Sequence, residues 1–335
     1  MSFTTFGEIM LRLSPSDHAA KINTARSFGV HYAGSESNVA SALALMGNEV
    51  QFITKLPENQ IGDGALQSLQ AFGISTKNIL RGGNRMGTYF IEIGSSIRPS
   101  SVIYDRAGSS ISELKKGEFD WETLLKDQQW LFVSGITPAL STSCAEETIR
   151  AVEAAKGLGV KVAFDMNYRR TLWKQEKEAR VIFDKILSST DLLFGNSGVL
   201  KDVYDLDSAS TDPIEKTKDL IKKAKLKFGV SQLAFTVREH RSASQNQLSG
   251  IFMADTEPIL SEAYTVEILD RFGTGDAFAA ATLHGLAKGW ATERTIGFAA
   301  AAFALKHTIK GDQHTSTETE IYAIYEGNTS GHVIR

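Results

Sequence analysis

The 335-residue sequence contains a single cysteine, Cys144, and lacks the signatures of several protein classes. One cysteine excludes an internal disulfide framework and suits a reducing compartment. No apolar run reaches the roughly 18 residues that a membrane-spanning helix needs. The chain also shows no basic region followed by an apolar stretch at its N-terminus, so no signal peptide is visible. We therefore expect a cytoplasmic protein without a membrane partner.

Charge and ligand-binding signatures of other classes are also missing. The formal net charge is −3, so we expect no nucleic-acid partner. No cluster of histidine and cysteine suggests zinc, and we expect no metal site built from side chains alone. The sequence has no Walker-type G-x-x-x-x-G-K-[ST] and no early G-x-G-x-x-G. These absences argue against a P-loop enzyme and against a nicotinamide-dependent dehydrogenase.

What the sequence does contain is an alternation of short strand-like runs and longer helical patterns. This order predicts an α/β fold with a mostly parallel sheet that helices cover on both faces. In such sheets, ligands bind beyond the carboxyl ends of the strands, where Asp165, Asn196 and Thr236 fall. The runs are strands at 50–54, 130–134, 160–165, 191–194 and 232–236, and helices near 61–73, 143–157 and 176–189.

Two segments, 10–33 and 84–107, interrupt this alternation because they lack long helical stretches. Parts of the second alternate between apolar and polar residues, as antiparallel strands do. We expect both segments to form a small β-strand lid on a single domain that spans residues 1–335. Exposed lid edges offer pairing sites, so we also expect a homo-oligomer that assembles through the lid strands.

The most informative segment of the chain is Asp270–Phe278. Gly273, Thr274 and Gly275 precede a carboxylate, Asp276, and a run of small apolar residues that predicts a buried helix. Glycines permit a tight turn, and the first N–H groups of a helix are unpaired and can bind a phosphate. Asp276 would then stand where a substrate hydroxyl loses its proton. The alternative is an ordinary helix start with glycines that serve packing.

A second glycine-led segment, residues 33–47, reads AGSESNVASALALMG. Gly34 would let a ligand approach the main chain, and the amide of Asn38 can donate and accept hydrogen bonds, which suits a polyol. The alternative is a polar helix start, with a helix at 41–47 that ends at a C-cap glycine, Gly47.

Taken together, AGSESNVA at 33–40, the segment from Gly47 to Ile74 and DRFGTGDAF at 270–278 resemble the ribokinase-like (PfkB) carbohydrate kinases, from about residue 7 to about 312. The resemblance implies a three-layer α/β/α core with a β lid. It also implies transfer of the γ-phosphoryl group of ATP to a sugar hydroxyl, with Asp276 as the base and the 273–276 backbone as the anion hole. YDRAGS, SGITPALS and DMNYRRTLW resemble most the members that phosphorylate the 6-hydroxyl of 2-keto-3-deoxygluconate.

The residues themselves also indicate an acidic sugar. Tyr104 and Arg106 are two apart and share a strand face, and Arg169 follows the end of a predicted strand. Two guanidinium groups suit a carboxylate, although each arginine alone could be a surface charge and each tyrosine a packing residue. Asp312 could equally be a turn residue. The resemblance implies sugar-acid contacts from Gly34, Asn38, Tyr89, Tyr104, Arg106, Arg169, Asp276 and Asp312.

For ATP, the resemblance implies contacts from Asn167, Arg169, Asn196, Thr236, Arg238, Gly273 and Gly275, with a helix at about 298–307 near the adenine. The chain departs from the family in having Val199 where a glutamate usually follows Asn196. It also departs in the absence of glycines from the nucleotide loop, Thr236–Ala243. Mg²⁺ would bind mainly through the phosphates. With an ordinary pKa near ~3.9, Asp276 would act late and mainly by orientation.

Two alternatives remain open from the sequence. A kinase for a neutral sugar such as fructose or ribose would use the same fold. A catalytically weak sugar-binding sensor would account for the departures near the nucleotide, although the intact 273–276 segment argues against it.

Overall fold

The structure, a computed structural model, describes residues 1–17 and 20–331. Residues 18 and 19 of the predicted lid segment, and residues 332–335, lie outside the described residues. The strands are β1 (Ser2–Phe6), β2 (Met10–Pro15), β3 (Phe28–Ala33), β4 (Glu49–Ile53), β5 (Lys55–Leu56), β6 (Leu80–Arg81), β7 (Thr88–Glu92), β8 (Ser101–Asp105), β9 (Trp130–Ser134), β10 (Lys161–Asp165), β11 (Leu192–Gly195), β12 (Gln232–His240), β13 (Gln245–Met253), β14 (Ile259–Leu260) and β15 (Tyr264–Glu267).

The helices connect these strands in the predicted alternating order. In several of them a side chain caps the first turn, as the hydroxyl of Ser141 does for the helix that follows it. They are α1 (Ser35–Leu45), α2 (Gln60–Ala71), α3 (Trp121–Leu125), α4 (Thr142–Leu158), α5 (Glu176–Leu187), α6 (Ser197–Tyr204), α7 (Pro213–Phe228), α8 (Thr274–Ala287), α9 (Thr292–Lys306) and α10 (Glu318–Tyr325).

The main sheet has the strand order β14-β13-β12-β11-β10-β9-β1-β4, and β15 also pairs with β13. Strands β4, β1, β9, β10, β11 and β12 run parallel, while β13 to β15 add antiparallel pairs at one edge. Successive side chains alternate between two cores: Phe3 and Phe132 belong to one, Phe6 and Val133 to the other. The fold class predicted from the sequence, three α/β/α layers around a mostly parallel sheet, is confirmed.

A second sheet, which we call the lid sheet, has the order β3-β2-β7-β8. In register across it, Arg12, Tyr89 and Tyr104 share the inner face, toward the main sheet. The neighbouring row of paired residues, on the opposite face, is apolar. This row, the outer lid row, consists of Val30, Leu13, Phe90 and Ile103.

The tip of the β7–β8 hairpin contacts the tip of the β12–β13 hairpin. The N–H of Ser96 donates to Oγ of Ser244 at 2.7 Å, and the N–H of Ala243 donates to the carbonyl oxygen of Ser96 at 2.9 Å. These hydrogen bonds tie the lid sheet to an edge of the main sheet.

Two local predictions are wrong. The segment Thr236–Ala243 was expected to be a loop, but its first five residues belong to β12. This strand continues to His240 and pairs residue by residue with β13. Without glycine or proline, and with Val237 buried, this stretch satisfies the alternation of a strand. The early helix begins at Ser35, not at residue 41, because Gly34 is the extended N-cap residue.

Candidate active site

The start of α8 forms a cradle of main-chain N–H groups. Gly273, its N-cap residue, has a φ of 71°, and a Cβ there would lie 1.7 Å from the carbonyl oxygen of Asp312. Only glycine fits this left-handed turn and close approach. The helix that follows is almost completely buried, so the N–H groups of Thr274, Gly275 and Asp276 are fixed in place, and a helix start leaves them without helical acceptors.

Asp276 is buried in the third position of α8 and is held from both sides. Its Oδ2 accepts from Nδ2 of Asn38 at 2.7 Å, and its Oδ1 accepts from Oγ of Ser35 at 2.7 Å. Burial raises the pKa of Asp276 to about 7, although both hydrogen bonds lower it. The expectation of an ordinary pKa is therefore wrong, because the sequence does not reveal how completely α1 covers this carboxylate.

Ser35 also links Asp276 to the end of β10. Its Oγ accepts from Nδ2 of Asn167 at 3.3 Å, and the N–H of Asn167 donates to Oδ1 of Asp165 at 3.0 Å. Burial raises the pKa of Asp165 to about 6. Ser35 was not among the predicted site residues, since serines at helix starts are common and nothing in the sequence pairs this one with Asp276.

Beside the α8 cradle lies a cavity of about 540 Å³. It lies beyond the carboxyl ends of β10, β11 and β12, where the sheet was expected to bind ligands. Asn196 caps α6 through Oδ1, which accepts from the N–H groups of Gly198 and Val199 at 2.9 and 3.1 Å. Every residue predicted to contact ATP lines this cavity: Asn167, Arg169, Asn196, Thr236, Arg238, Gly273 and Gly275; Thr274 and Asp276 line it too.

The predicted sugar-acid residues of the lid lie together on its inner side. The rings of Tyr89 and Tyr104 stack with centroids 6.0 Å apart, and the guanidinium of Arg106 lies 5.4 Å from the centre of the Tyr104 ring. Arg106 is buried and pairs with Glu8, which also accepts from Oγ of Ser109 at 2.6 Å. The Nε of Arg106 has no partner within the described residues.

Three predicted contacts are already engaged by the protein itself. A Cβ on Gly34 would lie 1.9 Å from the carbonyl oxygen of Glu8, so this glycine allows the protein's own backbone to approach. Asn38 holds Asp276, and its Oδ1 accepts from the N–H of Gly34 at 3.4 Å. Asp312 pairs with Arg12 through Oδ1 and accepts from the hydroxyl of Tyr89 through Oδ2 at 2.8 Å. By contrast, Arg169 is exposed and lies on the cavity side, away from this group.

Arg12 is the most important residue that the sequence did not reveal. It is completely buried on the inner face of the lid sheet, where it bridges Asp312 and Asp270, with 2.6 Å between its Nη2 and Oδ2 of Asp270. Lys306 adds a second buried cation, which donates to the carbonyl oxygens of residues 309 and 311 at 3.0 and 2.6 Å. Together they fix the turn that packs on Gly273, Arg12 through Asp312 and Lys306 through these carbonyl oxygens.

In the described part of the chain, no group of three or more His, Cys, Asp or Glu side chains is arranged to hold a metal ion. None of the helices formed by residues 1–17 and 20–331 is long and apolar enough to cross a bilayer.

The chain is similar to known carbohydrate kinases along nearly its whole length. The profile of the pfkB family of carbohydrate kinases matches residues 2–320. The 2-dehydro-3-deoxygalactonokinase of Haloferax volcanii is 32% identical over 328 residues, which cover 98% of this chain and 97% of the relative. The crystal structure of 2-dehydro-3-deoxygluconokinase from Thermotoga maritima is 41% identical, with a TM-score of 0.95 over 98% of this chain and 100% of that one.

A second crystal structure, of a PfkB family carbohydrate kinase from Listeria grayi, is 33% identical, with a TM-score of 0.91 over 97% of this chain and 100% of that one. The profile match spans nearly the whole sequence, and it includes both the early glycine-led segment and the α8 cradle. This chain belongs to the pfkB family of carbohydrate kinases.

Proposed function

We propose that this kinase transfers the γ-phosphoryl group of ATP to a hydroxyl of a sugar acid, with Asp276 as the general base. The observation that carries the proposal is the buried Asp276 carboxylate, with its pKa of about 7, at the edge of the α8 cradle. A base with a pKa near the working pH is the most effective proton acceptor. The adjoining cavity has room for the phosphates of a nucleotide beside this carboxylate.

In the proposed reaction, the sugar hydroxyl oxygen forms a bond to the γ-phosphorus while the bond from that phosphorus to the β,γ-bridging oxygen breaks. The hydroxyl proton passes to Asp276, and ADP leaves. Asn38 and Ser35 hold the carboxylate in place, so that it accepts the proton without reorienting. The N–H groups of the α8 cradle bind the oxygens of the transferring group.

On the nucleotide side, we assign the cavity-lining residues Asn167, Arg169, Asn196, Thr236 and Arg238 to ATP. Mg²⁺, when bound, neutralises charge on the phosphate oxygens. The carboxylate of Asp165 lines the same cavity, and among the described residues only Asn167 donates to it, at Oδ1. A carboxylate oxygen fits a hard cation that keeps most of its waters and binds through phosphates.

We propose 2-keto-3-deoxygluconate, phosphorylated at its 6-hydroxyl, as the sugar acid. Arg106 supports this choice: its buried guanidinium pairs with Glu8, but its Nε has no partner in the described part of the chain. A substrate carboxylate would complete its hydrogen bonding. Tyr89, Tyr104 and Asp312 would border the sugar, and the names of the relatives from Thermotoga maritima and Haloferax volcanii agree with this substrate class.

Turnover of a panel of sugars with Mg-ATP tests the substrate. We expect kcat/KM for 2-keto-3-deoxygluconate to exceed that for fructose and ribose at least tenfold.

Arg106→Ala should raise the KM for the keto acid at least tenfold, since a charged hydrogen bond is worth about 1.5–3 kcal/mol. Arg85→Ala is the matched control, because Arg85 pairs with Asp105 at the lid surface. Faster turnover of a neutral ketose would favour the neutral-sugar alternative.

We further propose that two copies of the chain associate through the outer lid row. Val30 and Ile103 are 55% and 52% exposed, and Leu13 and Phe90 lie between them in register. An apolar row across a complete sheet face is typical of a surface that a partner covers. In a symmetric dimer, the two lid sheets would pack face to face.

A further inference from the structure

Arg238 stands out among the arginines because it is a largely enclosed cation without a counter-ion. Its Nη2 donates to Oγ1 of Thr274 at 3.2 Å, and its guanidinium lies 5.4 Å from the centre of the Phe303 ring. Within residues 1–17 and 20–331, no carboxylate lies within ion-pair distance of it, and its Nε is buried without a partner. Burial, together with the positive charge of Arg271, lowers the pKa of Arg238 to about 10.

This arrangement is unfavourable for the ligand-free protein. Removing a charge from water costs free energy unless an opposite charge compensates it. The contacts with Thr274 and Phe303 use only part of a guanidinium that has five N–H donors. A purely structural role would therefore be served as well by an apolar side chain of similar length.

The position of the guanidinium indicates what is missing. Arg238 lies on β12 and lines the same cavity as Gly273, Thr274 and Gly275. Thr274 is the first residue of α8, and its hydroxyl donates to the carbonyl oxygen of Arg271 at 3.1 Å, which leaves a lone pair to orient Arg238. The unpaired cation and the unpaired N–H groups of the helix start thus face one volume, and both require an anion.

Building on the proposed function, we propose that Arg238 is a catalytic residue whose guanidinium binds oxygens of the transferring phosphoryl group. In this step the sugar oxygen bonds to the γ-phosphorus, the bond to the β,γ-bridging oxygen breaks, and the proton goes to Asp276. Negative charge spreads over the phosphoryl oxygens and the leaving oxygen as the bonds change. Arg238 stabilises that charge from β12, beside the main-chain donors of α8.

Arg238→Met, with Arg241→Met as the matched control, tests this role. Arg241 belongs to the same hairpin but is exposed and donates to Gln247. We expect Arg238→Met to lower kcat at least 100-fold, by analogy with other arginines that contact a transferring phosphoryl group, and to change the KM for the sugar less than threefold. Arg238→Lys should recover part of kcat. Arg241→Met should stay within threefold of wild type. If Arg238→Met also stays within threefold, the proposal is wrong.

A thermal measurement separates this role from a structural one. Because Arg238→Met removes an uncompensated charge, the ligand-free variant should melt at the wild-type temperature or above it. A structural residue would instead lower the melting temperature, and a clear decrease together with an unchanged kcat per folded molecule would overturn the proposal.

A binding measurement keeps the inference separate from the sugar assignment. Calorimetry with Mg-AMP-PNP and Mg-ADP requires no sugar. Wild type and Arg241→Met should bind the triphosphate analogue about tenfold more tightly than ADP, and Arg238→Met should lose this preference. Retention of the preference in Arg238→Met contradicts the inference. Absence of turnover of every sugar acid by the wild-type enzyme would instead contradict the proposed function.

Discussion

The pH dependence of kcat/KM gives the sharpest test of Asp276. The base must be ionised, and its pKa of about 7 means that activity is lost as the pH falls through 7. At pH 6 about one-tenth of the enzyme would carry the ionised base, so kcat/KM should be about tenfold below its plateau above pH 8. An aspartate with an ordinary pKa near ~3.9 would leave the profile flat in this range.

The pH profile of Ser35→Ala tests whether the hydrogen bond from Ser35 helps to set the pKa of Asp276. Ser35 donates to Oδ1 of Asp276 and so stabilises the charged form. A hydrogen bond to a charged group is worth about 1.5–3 kcal/mol, and one pKa unit corresponds to about 1.4 kcal/mol. Losing even part of this free energy in Ser35→Ala would move the midpoint of the pH profile upward by about one unit, toward pH 8.

The assay measures ADP formation with saturating Mg²⁺ and limiting sugar acid, since kcat/KM reports the pKa of the free enzyme. Arg170→Lys serves as a control, because Arg170 pairs with Asp202 at the surface. Its midpoint should match that of the wild type. A flat profile between pH 6 and 8, or an unchanged midpoint in Ser35→Ala, would refute the argument that burial and these hydrogen bonds set the pKa of Asp276.

The same shift predicts a trend in stability. The pKa of Asp276 is higher in the folded state than in the unfolded state. Its contribution to the free energy of unfolding is therefore fully present below the unfolded pKa of about 3.8 and is lost as the pH rises through about 7. The shift corresponds to at most about 4 kcal/mol of unfolding free energy. Asp276→Asn, which cannot ionise, should lose less stability between pH 5 and 8 than wild type in urea titrations, and should lower kcat at least 100-fold.

Three further predictions concern the surroundings of the base. Gly273→Ala should abolish turnover and lower the unfolding free energy by more than about 2 kcal/mol, since its Cβ would overlap the carbonyl of Asp312. Gly275→Ala is the control for stability, because a Cβ there meets nothing within 4 Å. Arg12→Met should destabilise by about 3–5 kcal/mol in urea titrations, because it leaves two buried carboxylates without their shared partner; a loss below 1 kcal/mol would contradict this. Ile103→Glu should shift the protein to monomer in sedimentation, whereas a dimer that persists would exclude the outer lid row as the interface.

Much of the fold followed from the sequence because its signals are local. Buried runs such as 130–134 match strand β9 residue for residue, and the run of small residues after Asp276 matches the buried helix α8. The mistaken loop at Thr236–Ala243 came from expecting glycines at a nucleotide site. The alternation around Val237 was itself the signal for a strand.

The part of the site that the sequence did not reveal depends on contacts between distant residues. Arg12 pairs with residues 258 and 300 positions away, and in the segment 10–15 it looks like an ordinary surface charge on an alternating strand. The raised pKa of Asp276 likewise depends on the packing of α1 against α8. No local pattern encodes such distances, because they arise only when the sheet and the lid are assembled.

The contact between the two hairpin tips connects the lid sheet with the cavity beside the α8 cradle. Ser96, at the lid tip, exchanges hydrogen bonds with Ser244 and Ala243. Arg271, which lines the cavity that we assign to ATP, donates to the carbonyl oxygen of Ala243 at 2.7 Å. An outward movement of the lid sheet would break the hydrogen bonds between the two hairpin tips, each worth about 1 kcal/mol. We therefore expect the affinities for sugar and nucleotide to be thermodynamically linked, so that binding of either one changes the dissociation constant of the other by the same factor.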